Sequence, residues 1–331
     1  MRSIIDPPPR SAYARFDAGF GQRFLLTVDT EEEFDWSRPL AREGHGLEHV
    51  HRLADFQAFC EDEGVVPVYL VDWPIAQSPL AAEILRAPLA AGKAEIGVQL
   101  HPWVSPPFEE EVTPRNSFAG NLPRELERAK FRSLREAIEE NFGASPAIYR
   151  AGRYGVGPNS AAMLAEGGIA IDTSVRAHFD YSAGEGPDFG HHPLVPYWLD
   201  ESKTLLELPL TTVYWGMLRR QGGWLYPKLA RLPALRAALA KLGMLERIPL
   251  TPEGTTVDEA IRGIDMALDD DLPVLVLSFH SPSLQAGHTP YVRNEDDLAA
   301  LYDWWRRVFA YLELRQTRPT TVAEITRAVL R

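Results

Sequence analysis

The sequence predicts an α/β fold in which about seven parallel strands curl into a barrel-like sheet, and three observations predict it. Most of seven short apolar runs are nearly continuous rather than alternating, as strands covered on both faces are. Amphipathic helical stretches separate most of them, the alternation that builds strand–helix–strand units. Almost every run ends on a polar residue able to do chemistry. That suits a barrel, where the loops after the strands converge on one site.

In chain order the strand runs are RFLLTVD (23–29), VVPVYLVD (65–72), EIGVQLH (95–101), AIYRAG (147–152), IAIDTSV (169–175), LLELPLTT (205–212) and VLVLSFH (274–280). The stretch GLEHVHRLADFQAFCEDEG is helical and stops at Gly64. PRELERAKFRSLREAIEENFG opens on Pro123 and closes on Gly143, the asymmetry a helix favours. TVDEAIRGIDMALDDD and EDDLAALYDWWRRVFAYL are two further helices, with Trp304, Trp305 and Tyr311 as packing residues. Residues 1–22, with the triple proline at 7–9, form an extended lead-in. A single domain over 23–331 follows, with insertions at 176–204 and 213–255.

The chain has 331 residues, enough for a sizeable core, and a formal net charge of -12. An acidic surface repels phosphate backbones and anionic lipid, so nucleic acid is not an expected partner. No run reaches the length of a spanning helix and none reads as a signal peptide. Cys60 is the only cysteine, so no intrachain disulfide can form. Together these point to the cytoplasm. The oligomeric state is not legible.

The strand ends carry Asp29, Asp72, His101, Arg150, Asp172, Thr211, Thr212 and His280. After Val28 five carboxylates arrive in seven positions, Asp29, Glu31, Glu32, Glu33 and Asp35. Barrel geometry would bring the first of them to His101 and His280, while Glu33 and Asp35 read as solvated loop. His45, His49 and His51 read as surface residues. No dinucleotide fingerprint, P-loop or nucleophile elbow is present.

The ordered set TVDTEE, EIGVQLHPWVSPPF, YRAGRYG, IDTSV and LSFHSPSL resembles the motifs of the polysaccharide deacetylase family, the NodB-homology group of carbohydrate esterases, and within it the WalW-like bacterial branch. The resemblance spans about residues 23 to 325 and implies a deformed (β/α) barrel of the NodB type. It implies a divalent metal, Zn²⁺ with Ni²⁺ or Co²⁺ as alternatives, and loss of an N-acetyl group from a sugar of a cell-surface polysaccharide or lipopolysaccharide precursor. By resemblance Asp29 is the catalytic base, Arg150 its partner and His280 the acid, and the Tyr154 backbone N–H faces the oxyanion. A protonated His280 needs a carboxylate neighbour; Asp172 is the candidate and Asp180 the rival.

The metal site departs from the family pattern. Thr30 follows Asp29, so the acidic ligand is Glu31 or Glu32. His101 matches one imidazole ligand, and Gln99 stands where the other is expected. An amide oxygen is a poorer ligand for Zn²⁺ than imidazole, so metal is bound weakly, completed by Glu31 and Glu32 together or by His178, His191 or His192, or absent. Trp103, Tyr214 and Trp215 are candidates for stacking on sugar rings. Two other readings stay open: hydrolysis of another non-peptide C–N bond, and a carbohydrate-binding relative without catalysis.

Overall fold

The computed structural model describes residues 1–229 and 232–330. Its strands are β1 (Arg23–Thr30), β2 (Pro67–Val71), β3 (Glu95–Leu100), β4 (Ile148–Ala151), β5 (Ile171–Asp172), β6 (Tyr197–Trp198), β7 (Leu206–Glu207), β8 (Thr212–Trp215), β9 (Glu246–Pro249), β10 (Val274–His280) and β11 (Arg318–Pro319). The main sheet runs β10-β1-β2-β3-β4-β5-β7-β6. Seven of these, from β10 through β7, are parallel. They are the seven apolar runs, each found where the sequence placed it. The architecture is the expected deformed barrel, a curled parallel sheet under a shell of helices.

Side chains alternate between the inside of the curl and the helical shell. Leu25, Val68, Leu70, Ile148, Ile171 and Leu206 form an inner apolar cluster. Leu26, Val28, Val98, Tyr149 and Leu277 belong to the outer one, with Phe56, Leu134 and Trp305 from the helices. This parity decides which strand-end residues can meet. On β1 it sends Thr27 and Asp29 inward with Leu25, and on β4 it sends Arg150 inward with Ile148.

Among the described residues the curl does not close by a ladder. Between β7 and β10 the seam is bridged by single hydrogen bonds. The Val276 N–H donates to Thr211 Oγ1 (2.8 Å) and the Thr211 N–H to the Val276 carbonyl (3.3 Å). The Leu250 N–H donates to Thr211 O (3.1 Å) and the Ser278 N–H to Leu250 O (3.2 Å). Leu250 follows the β8–β9 antiparallel pair, which carries most of the second insertion.

The predicted helices form at Arg52–Asp62, Arg124–Phe142, Val257–Asp269 and Glu295–Leu314. Gly143 ends the second at φ 68°, a conformation that costs glycine no Cβ clash. Thr256 and Glu259 make a capping box on the third. Trp304 and Trp305 are buried as core residues. Residues 1–22 touch the body of the fold at several points. Ile4 is fully buried, its carbonyl accepts from His192 Nε2 (3.0 Å), and Phe16 bridges to Val329. Among the described residues, no helix is long and apolar enough to cross a membrane.

Candidate active site

Each of the five carboxylates after Val28 has its own partner. Asp29 accepts a short hydrogen bond from Arg150 Nη1 on Oδ1. The same guanidinium donates to Thr27 Oγ1 (2.9 Å) and to the Thr173 carbonyl (3.1 Å), so β1 and the residue after β5 together fix its plane. On the other side, His280 Nε2 stands 3.7 Å from Asp29 Oδ2. The β1–β10 register places residues 29 and 280 directly abreast.

Glu31 lies beyond the end of β1, its oxygen Oε2 accepting from Gln99 Nε2 (3.1 Å) and lying 3.4 Å from His101 Nε2. Burial pushes its carboxyl up to about 8; His280 and His101 oppose this, and Glu32 and Asp29 add to it. Glu32 points behind His101 instead. Its Oε2 meets His101 Nδ1 (2.8 Å), and its Oε1 accepts from Trp103 Nε1 (2.8 Å). Trp103 stacks on the His101 ring at 4.4 Å between centroids, so this aromatic holds the imidazole. Gly152 abuts the other edge of the ring: a Cβ there would lie 2.3 Å from His101 Cδ2. The first glycine of YRAGRYG is thus required by His101.

Glu32, Asp72 and His101 form a close group of potential donors. Asp72 accepts from the backbone N–H groups of Ile75 (2.9 Å) and Glu32 (2.8 Å). Burial raises Glu32 and, with Glu32 beside it, raises Asp72 well above the carboxylate range. With these contacts the group braces His101 from behind. Of the two candidate acidic ligands, Glu31 faces the cavity and Glu32 does not.

Three sequence readings are corrected. Asp172 does not reach His280. Its neighbour Ile171 joins the inner cluster, so Asp172 faces outward, where it accepts from Ser174 Oγ (2.6 Å) beside Glu207. Burial, with the facing carboxyl, pushes Glu207 well up. Asp180 is exposed on a turn. The carboxylate at His280 is Glu253, from the second insertion: Oε2 is 2.6 Å from Nδ1, and Oε1 accepts the His280 N–H (3.2 Å). Burial alone would lower the His280 pKa, but Glu253, Glu31 and Asp29 raise it to about 10.

Glu33 and His49 are the second and third corrections, because both are buried. Glu33 Oε1 is 2.7 Å from His49 Nδ1, and His49 Nε2 is 2.8 Å from Ser281 Oγ. Ser281 Oγ in turn accepts the Glu31 N–H (3.2 Å). This relay is enclosed and fixes the backbone that presents Glu31. Asp35 remains an exposed turn residue, as expected. His178 and His192 are held elsewhere, against Tyr214 and the Ile4 carbonyl, so neither completes a ligand set at His101.

The loop after His101 is organised by one buried cation. Lys130 Nζ donates to the carbonyls of Pro102 (3.0 Å), Ser105 (2.7 Å) and Pro107 (2.7 Å), and Glu110 Oε1 lies 2.9 Å away. Lys130→Met leaves three carbonyls without this donor and Glu110 with only the more distant Arg42, 3.8 Å away. It is expected to lower the unfolding free energy by about 3 kcal/mol in a denaturant titration. A loss below about 1 kcal/mol would show that the loop holds itself.

The site residues Asp29, Glu31, Gln99, His101, Arg150 and His280 line a single cavity of ≈ 580 Å³. With this geometry in hand, comparison with known proteins adds the fold. Neither a protein-family model nor a curated protein matches this chain. Among solved structures the chain is similar to a protein described as a polysaccharide deacetylase from Mycobacterium smegmatis. The TM-score is 0.52 and the identity 15%, over 97% of this chain and 93% of that one. It is also similar to Puue allantoinase, with a TM-score of 0.50 and 15% identity over 97% and 93% of the two chains. The chain therefore has the fold of the NodB-homology polysaccharide deacetylases, as its motifs lead one to expect.

Proposed function

We propose that this chain is a hydrolase of non-peptide C–N bonds that removes an N-acetyl group from a sugar of a cell-surface polysaccharide or lipopolysaccharide precursor. One observation carries the reading. Asp29 Oδ2 and His280 Nε2 stand 3.7 Å apart on the floor of one cavity, each held from behind by a dedicated partner, Arg150 and Glu253. A base and an acid so placed can divide the two proton transfers of amide hydrolysis.

Water adds its oxygen to the carbonyl carbon and Asp29 takes the proton released. The C–N bond then breaks, and His280 Nε2 delivers its proton to the departing nitrogen, giving acetate and a free amine. Glu253 keeps that proton on His280 at neutral pH and orients the ring through Nδ1. The Tyr154 N–H sits in the turn that follows β4, beside Asp29 and Arg150 in the cavity lining, and would serve the oxyanion.

The donor set fits a divalent cation. Glu31 Oε2 and His101 Nε2 are 3.4 Å apart, the spacing of two ligands sharing one ion through bonds of about 2.0–2.1 Å. His101 directs Nδ1 at a carboxylate, which leaves Nε2 as the ligating nitrogen. Gln99 Oε1 is buried without a partner beside them. Glu31, His101 and Gln99 would hold the ion, which when bound lowers the pKa of a site water towards about 7. The neutral Gln99 predicts weaker retention than a second imidazole would give.

The test is acetate release from N-acetylglucosamine oligomers, before chelation, after it, and after resupply of Zn²⁺, Co²⁺ or Ni²⁺. Loss on chelation and recovery on resupply are expected. No acetate under any of these conditions overturns the reading.

A further inference from the structure

The protein is strongly acidic, yet one wall of the cavity carries two guanidinium groups that form no ion pair among the described residues, Arg153 and Arg176. Arg176 has a single side-chain partner, the Tyr181 hydroxyl at 3.3 Å. Its charged plane otherwise meets aromatic faces, Phe179 at 4.0 Å and Tyr154 at 5.2 Å from the ring centroids. Such faces attract a cation weakly and leave its N–H fork without an anionic acceptor. A partly buried cation without an anion is costly, and the arrangement persists only where something repays that cost.

Arg153 reaches the same wall by a strained route. Arg153 and Tyr154 adopt φ of 55° and 61° in succession, a region non-glycine residues avoid. Strain of this kind clusters where a side chain must be aimed. The Arg153 guanidinium lies over Phe118 at 4.3 Å and donates to Ser117 Oγ, with its outer edge exposed. Across the cavity Trp36 stands edge-on to His280 (5.7 Å) and Tyr291 (6.0 Å), a platform for an apolar sugar face beside the acid.

We propose that the cavity takes a carbohydrate carrying an anionic oxygen group, phosphate or carboxylate, and that Arg176, assisted by Arg153, binds that group. Planar bidentate recognition of such oxygens is what a guanidinium fork does best. The substrate role of that sugar rests on the hydrolase reading; the anion site does not.

The test is calorimetric titration of the full chain with three probes: N-acetylglucosamine, its 6-phosphate, and N-acetylmuramic acid, which carries a carboxylate. At least one anionic probe is expected to bind about tenfold tighter than the neutral sugar. Which one does so separates phosphate from carboxylate. In Arg176→Gln that advantage should fall to within about twofold, while neutral-sugar affinity stays unchanged, and Arg176→Lys should keep part of it. If Arg176→Gln does not fold, Arg176→Lys and Arg153→Gln carry the comparison. Equal binding of all three probes, binding of none, or an advantage that survives these substitutions overturns the proposal. Acetate release is scored separately. An anion preference without acetate release counts against the hydrolase and leaves the anion site standing.

Discussion

Asp29→Asn is expected to cut acetate release by about a thousandfold or more, the upper range for loss of a general base and worth ~4 kcal/mol of barrier. The change is nearly isosteric. The amide oxygen can still accept from Arg150, which also keeps its bonds to Thr27 Oγ1 and the Thr173 carbonyl. Geometry is therefore retained while the proton acceptor is lost. Folding should survive with a penalty of a few kcal/mol at most, because an acceptor remains for the guanidinium. The measurement is kcat for acetate release beside a denaturant titration on the same preparation. A folded Asp29→Asn protein within about tenfold of the parent would remove Asp29 from the chemistry.

Glu253→Gln acts on the proposed acid. In the proposed mechanism His280 works only while protonated, so activity is expected to fall as pH rises through its pKa. Burial opposes the proton, and Glu253 is the largest influence favouring it, giving about 10 in the parent. Removing that carboxylate must lower the value, so the alkaline limb of the kcat profile should move to lower pH by at least about one unit. Glu253→Asp should restore part of the shift. An unmoved limb would mean that some other carboxylate holds the proton.

Stability follows the same sign. His280 is raised from 6.5 to about 10, so its contribution is complete below 6.5 and disappears as pH rises through 10. Glu31 is raised from 4.5 to about 8, so the folded state favours its protonated form, and that contribution is lost between those values. Both make the folded protein more stable on the acid side of neutral than on the alkaline side.

Much of this was legible in the residues. The seven parallel strands announced themselves because burial on both faces leaves continuous apolar runs such as LLTV and VLVL. Asp29, Gln99, His101, Arg150 and His280 could be placed together because strand ends in a curled sheet share one mouth. Parity would have warned against Asp172, which lies one residue out of step with the inward Ile171. Glu253 carried no signal. It sits in a polar TPEG turn, and its meeting with His280 depends on how an insertion folds back across the sheet. His49 read as surface because it lies among the charged and polar residues Glu48, His51 and Arg52, and Glu33 and Ser281, distant in sequence, make its burial tolerable.

The missing stave between β7 and β10 has a functional reach. Leu250 spans that gap by linking Thr211 to Ser278, and Glu253 lies three residues farther along the same chain. The segment that fastens the ring also carries the carboxylate that holds the proton on His280. Loosening the fastening would draw Glu253 off His280 and release that proton. The closure of the sheet and the charge of His280 thus hang on one stretch of chain.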